Sequence, residues 1–127
     1  MNVPEDLRYT SDHEWARSEG GRLRIGITDY AQDALGDIVF VQLPEPGAKV
    51  SAGDSFAEVE STKSVSDIYA PVSGTVAEIN SDLSDAPQRL NEDPYGEGWL
   101  CVIVPDEESV PDDSLLDPEA YRKLIES

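Results

Sequence analysis

The chain has 127 residues, which bounds it to one domain that can bury a single core without metals or several disulfides. Hydrophobic residues make up 39%, as in a globular chain, and the one cysteine, Cys101, cannot form an internal disulfide, which fits a reducing compartment. The 27 acidic residues against 9 basic ones give a net charge of −18, which leaves no basic stripe for nucleic acid and disfavours anionic membrane surfaces.

In chain order, Met1 to Asp6 is acidic and lacks an apolar stretch, so neither a secretory signal nor a transit peptide is expected there. Leu23-Arg24-Ile25-Gly26-Ile27 alternates apolar and polar residues, as a half-buried strand does. Asp29 to Leu35 spans about two helical turns, with Gly36 as its C-terminal cap. Asp37 to Leu43 is apolar, rich in β-branched residues and closed by Pro44. Phe56 to Glu60 and Ser66 to Tyr69 read as two strands flanking Ser61 to Val65, a hairpin with Lys63 at or near its tip. Thr75 to Ile79 follows the turn residues Ser73-Gly74, and Trp99 to Val104 is the last strand. At the C-terminus Asp117 can cap a helix whose first residue is Pro118, with Tyr121, Leu124 and Ile125 forming one apolar face. No run approaches ~18 consecutive apolar residues, so no membrane span is expected. Short runs broken by Gly and Pro predict a mainly β fold, a small sandwich or barrel.

The acidity has two readings. An acidic protein is steered onto basic faces of its partners. Acidity also keeps a protein soluble at high salt, where the Debye length falls to ~3 Å at 1 M and self-repulsion is screened. Lys49, Lys63 and Lys123 are the only lysines. That scarcity favours a salt-adapted (halophilic) cytoplasm, and steering can coexist with it.

Little here supports a catalytic or metal site. A zinc site draws mostly on Cys and His, and the chain has one of each. Cys101 lies in an apolar strand, where a buried, inert thiol is expected, so a Cys101–His13 nucleophile pair is the weaker reading. There is no glycine-rich phosphate loop. Acidic pairs such as Glu107-Glu108 or Asp112-Asp113 carry no signal in so acidic a chain. Lys63 stands apart. Its neighbours are small and polar, with β-rich segments on both sides. An exposed amine on a rigid base suits a modifying enzyme, although from spacing alone a solvated turn lysine is the simpler reading. Lys49 and Lys123 lack this symmetric setting.

From about Leu7 to Val104 the chain resembles the H-protein family of the glycine cleavage system. The resemblance runs through Tyr9-Thr10, His13-Glu14-Trp15, Ile25 to Gln32, Leu35 to Val41 and Leu43-Pro44. It continues through Val59-Glu60-Ser61-Thr62-Lys63-Ser64, Ala70 to Gly74 and Asn91 to Leu100. Two small departures are Thr62, where the family more often has Val, and Ser64, where it more often has Ala.

The resemblance implies a barrel-sandwich hybrid, lipoyl-domain-like, with short helices. It implies a single domain over 1–127, with a core over about 7–104 and a C-terminal helical extension over about 112–126. It implies covalent lipoate on Lys63 and a non-catalytic role, shuttling an aminomethyl group from glycine decarboxylase (P protein) to aminomethyltransferase (T protein). Electrons pass to dihydrolipoyl dehydrogenase (L protein), and a lipoate–protein ligase or lipoyl transferase attaches the cofactor. The resemblance also places Glu14 and Asp67 near the loaded arm, where carboxylates in a shielded cleft would pair with a cationic amine. His13, read as a strand residue, is either structural or a wall of that cleft. Asp12, where the family often has a small polar residue, adds charge to the same place unless Ser11 takes its role. A biotinyl carrier would set its lysine between two methionines, and Met1 is the only methionine. A 2-oxoacid dehydrogenase lipoyl domain would carry a linker, and none is visible. A lipoyl relay protein would use the same residues and stays open.

Overall fold

The computed structural model describes residues 3–106 and 115–126. Two antiparallel sheets pack face to face. The six-stranded sheet runs β1 (Arg8–Tyr9), β2 (Glu14–Glu19), β3 (Arg22–Ile27), β9 (Cys101–Pro105), β8 (Gly74–Ile79), β5 (Lys49–Val50). The three-stranded sheet runs β4 (Ile38–Gln42), β6 (Ser55–Ser61), β7 (Val65–Tyr69). The period-2 pattern explains the packing. Leu23, Ile25 and Ile27 of β3 point inward, as do Ala57 and Val59 of β6 and Ile68 of β7. Burial of these side chains supplies the main driving force, about 1.5–3 kcal/mol for each Leu, Ile and Val.

Among the described residues four helices complete the fold: α1 (Asp29–Leu35), the single turns α2 (Asp82–Asp85) and α3 (Arg89–Glu92), and α4 (Pro118–Glu126). The Thr28 side chain accepts from the Ala31 N–H at the start of α1, and Gly36 ends it at φ 83°. Leu83 and Leu90, from the two single turns, are fully buried under the three-stranded sheet beside Ile38 and Val41. The predicted cap of α4 is present, with the Ala120 N–H donating to Asp117 Oδ1 at 2.7 Å. The start of the expected extension, 112–114, lies outside the described residues.

Two expectations need correction. The apolar face of α4 is Pro118 and Tyr121 with the half-buried Ile125, whereas Leu124 is 40% exposed. The helix lies against β1 through Tyr121, so 124 turns past the contact line. His13 is not in a strand. It occupies the turn before β2 at φ 68°, the left-handed region, where a turn between β1 and β2 must reverse the chain.

α4 is tied into the body of the fold. The Tyr121 ring is buried and stacks on Tyr9 with centroids 4.6 Å apart. Leu116, just before the helix, exchanges backbone hydrogen bonds with Tyr9 at 2.6 and 2.9 Å. Arg122 pairs with Glu5 and donates to the Val3 carbonyl at 2.9 Å.

Candidate functional site

β6 and β7 form the expected hairpin, with Thr62, Lys63 and Ser64 at its exposed tip. One side chain organises the reversal. Ser61 Oγ accepts from the Lys63 and Ser64 N–H groups, both at 3.1 Å, and the Ser61 N–H donates to the Ser64 carbonyl at 2.8 Å. The tip is therefore a closed serine turn with its lysine outside. Its base is moored as well, because the Thr62 N–H donates to the Asp37 carbonyl at 3.1 Å.

Segment 36–38, under the tip, is held by Asn91 of α3. Asn91 Oδ1 accepts from the Ile38 N–H at 2.9 Å, and its Nδ2 donates to the Gly36 carbonyl at 2.8 Å and to Gln32 Oε1 at 3.1 Å. The lysine stem lies over Gly36. A Cβ built there would stand 2.9 Å from Lys63 Cε, and the positive φ separately favours glycine. Asn91 and Ser61 had no role in the sequence reading and Gly36 only that of a helix cap, although each lies within the residues that carry the resemblance. Only the hydrogen bonds reveal what they do.

The second half of the site is the turn from Thr10 into β2. Thr10 Oγ1 accepts from the Asp12 and Glu14 N–H groups, each at 3.2 Å, and donates to Glu14 Oε1 at 3.3 Å. Glu14 Oε2 accepts from the Tyr69 N–H at 2.8 Å, on the edge of β7 away from β6. Glu14 thus ties the end of the Lys63 hairpin to the large sheet while being only 1% exposed. Burial dominates its titration and pushes its pKa up to about 8. The Tyr69 N–H opposes that rise, the Asp12 charge adds to it, and the Thr10 hydroxyl opposes it. At neutral pH this carboxyl is therefore largely protonated.

His13 closes the turn. Its Nδ1 lies 2.9 Å from the Tyr121 hydroxyl, which is also 2.7 Å from Thr28 Oγ1. Its ring packs on Tyr30 with centroids 4.6 Å apart. Burial lowers its pKa against the opposing pull of Asp12, which favours the neutral ring. Thus α4, α1 and the turn meet at one tyrosine.

Of the residues singled out in the sequence, Ser11, Asp12, His13 and Glu14 lie together in this turn, Ser11 and Asp12 exposed and Glu14 inside. Asp67 lies two residues from Tyr69 but on the outer face of the small sheet, exposed and in register with Glu58. Glu14 and Asp67 therefore sit in different surroundings, one sheltered and one in water. Cys101 is a buried free thiol in β9, pushed up to about 12 by burial first and the Glu14 charge second. It is inert as a nucleophile.

An exposed lysine on a serine-closed hairpin is a geometry for attachment rather than turnover. The family model described as "Glycine cleavage H-protein" matches residues 7–127. The chain belongs to the glycine cleavage H-protein family. It is 58% identical over 128 residues to a glycine cleavage system H protein of Mycobacterium avium (strain 104), covering 98% of this chain and 97% of that one. It is 54% identical over 128 residues to one of Anaeromyxobacter sp. (strain K), covering 99% and 98%. The crystal structure of a glycine cleavage system H protein from Mycobacterium marinum matches at TM-score 0.90 and 46% identity, over 98% of this chain and all of that one.

Members of this family are lipoyl carriers, with lipoate bound covalently to a lysine, and are not catalysts. They serve glycine decarboxylase, aminomethyltransferase and dihydrolipoyl dehydrogenase, and receive lipoate from a lipoate–protein ligase. Among the described residues no helix is long and apolar enough to cross a membrane.

Proposed function

We propose that Lys63 is the lysine that bears the lipoyl group, and that Glu14 is the sheltered acceptor for the cationic amine it delivers. One observation carries the first assignment: Lys63 alone of the three lysines sits on a closed hairpin turn. Lys49 lies within β5, and Lys123 lies on α4, 3.8 Å from Glu119. The Lys63 amine is exposed between the small residues Thr62 and Ser64, so an amide at Nζ fits without displacing any packed side chain. When bound, lipoate supplies a disulfide that opens to carry the aminomethyl group.

Everything else in the cycle that belongs to this chain is binding and orientation. Ser61 fixes the direction in which Lys63 leaves the sheet. Glu14 offers an oxygen in a place that water does not reach freely. A cation brought to it would favour the ionised form, so a carboxyl that rests protonated would give up its proton on pairing. Such a charge-assisted contact is worth ~1.5–3 kcal/mol when shielded. Asp67, out in water, is the weaker partner, because exposed pairs contribute ~0–1 kcal/mol. Ser11, Asp12 and His13 form the rim, with Asp12 adding negative charge.

The chain works as one domain over 1–127, its core over about 7–104 and α4 locked onto it through Tyr121. The setting proposed is the cytoplasm of a salt-adapted prokaryote. Its support is the −18 net charge with only three lysines. Melts across a salt series check this: the melting temperature rises with salt, and a flat or falling series contradicts it.

Peptide mapping after lipoylation tests the attachment site. Label is expected on Lys63 alone, and Lys63→Arg should fold normally yet take none, since a guanidinium cannot enter this amide. Label on Lys49 or Lys123 would overturn the assignment.

A further inference from the structure

We propose that the outer face of the β4–β6–β7 sheet is the docking surface for the enzyme that acylates Lys63, and that this enzyme presents a face combining basic side chains with apolar pockets. The inference rests on Lys63 as the attachment point and adds the surface by which that point is found.

The register defines the face. Phe40 pairs with Glu60, and Glu60 with Val65, making one outward row. Gln42, Glu58 and Asp67 make the next. The inward residues Val41, Val59 and Ile68 alternate with these and are buried. β4 breaks the alternation. Its register shifts between Ile38 and Phe40, a β-bulge that leaves Val39 and Phe40 both outside, 53% and 49% exposed. Across β6, Val65 is 56% exposed.

Five large hydrophobics are exposed among the described residues, and three of them gather here. The other two, Val104 and Leu124, lie apart on β9 and α4. The bulge is at the hairpin end of β4, where Ile38 faces Ser61, two residues before Lys63. Exposed apolar side chains on both outer strands, beside the one residue that every attaching enzyme must reach, match an interface.

Charge selects the partner. The three strands carry Glu58, Glu60 and Asp67 and no Lys or Arg, and Asp37 precedes β4. Apolar side chains flanking the central Glu60, with Glu58 and Asp67 in the next row, complement a partner face that sets basic side chains between apolar pockets. A second copy of this chain would set the same carboxylates against one another, at −18 on each molecule, which disfavours self-association. The lipoyl arm could cover the apolar residues but gives the carboxylates no partner.

The test uses the full unmodified chain as substrate for a purified lipoate–protein ligase with lipoate and ATP, following initial rates by intact mass. Phe40→Ser and Val65→Ser should each raise KM about tenfold, the effect of losing ~1.4 kcal/mol of binding. kcat and the melting temperature should hold, and Val104→Ser should leave both constants unchanged. Glu58→Gln should flatten the rise of KM with salt. Should Phe40→Ser disturb the fold, Val65→Ser and Glu58→Gln carry the test. Unchanged KM in the soundly folded variants would overturn the proposal, as would a KM shift shared with Val104→Ser. A wild-type dimer that Phe40→Ser dissociates in sedimentation would also overturn it, giving the face to self-association. Label mapped to Lys49 or Lys123 would instead mark failure of the attachment reading.

Discussion

The two halves of the proposed site are built on opposite principles. The Lys63 tip stands in water and is ordered by hydrogen bonds from its own chain and one strand neighbour. Glu14 is almost fully covered and is held between Thr10 and the edge of β7. Exposure is what an attachment point needs, because an enzyme must reach its amine. Burial is what an acceptor needs, because a carboxylate in water gains little from one cation. The two are joined through β7, and also through α1, which packs on His13 at its start and underlies the Lys63 stem at Gly36.

The largest expected effect separates them through pH. Glu14 has its pKa raised from 4.5 to about 8, so the folded protein holds a proton that the unfolded chain has lost across that window. The contribution of Glu14 to stability is thus complete below 4.5 and falls as pH rises toward 8, by up to about 1.4 kcal/mol per pH unit. Glu14→Gln mimics the protonated acid, so it should remove this slope and be the more stable form above pH 8. Urea melts at several pH values check it. Parallel slopes for the two proteins would show that the carboxyl is better solvated than its burial indicates.

A middle-sized effect should come from Asn91→Ala. It leaves the Ile38 N–H and the Gly36 carbonyl without their partner, at about 1–3 kcal/mol. Because Asp37 moors Thr62, hydrogen exchange at the Thr62 amide should quicken while the Tyr69 amide, bonded to Glu14, stays protected. Equal loosening of both would mean that the halves are not separate.

The smallest effect belongs to Ser61→Ala, about 1 kcal/mol or less, since the Lys63 and Ser64 amides can turn to water. Lipoylation should slow with little change in melting temperature. An unchanged rate would show that the tip needs no serine to present its lysine.

The exposed half was the more legible in sequence. Two matched β-rich runs around Ser61 to Val65 announced a hairpin, and Asp29 to Leu35 announced its helix and glycine cap. Strong local periodicity made those visible. Glu14 to Glu19 was silent because Glu-Trp-Ala-Arg-Ser-Glu alternates poorly, and Arg8–Tyr9 and Lys49–Val50 are too short to show a period. The single turns at 82–85 and 89–92 are fixed by the burial of Leu83 and Leu90 rather than by local propensity. The burial of Glu14, the left-handed turn at His13 and the Asn91 clamp are all tertiary. Each depends on a partner 40 or more positions away or on a reversal that no side-chain pattern encodes. Leu124 misled because periodicity gives a face but not its width.

The contrast between the halves is tested most directly on the loaded protein, by the rate at which it releases formaldehyde and ammonia. Wild type is compared with Glu14→Ala and Asp67→Ala at low and high salt. A sheltered acceptor predicts that Glu14→Ala releases faster at both salts, that Asp67→Ala has a smaller effect which salt erases, and that both still take lipoate on Lys63. Release unchanged in Glu14→Ala, or an Asp67→Ala effect that is larger and persists in salt, would contradict the assignment of the buried carboxyl.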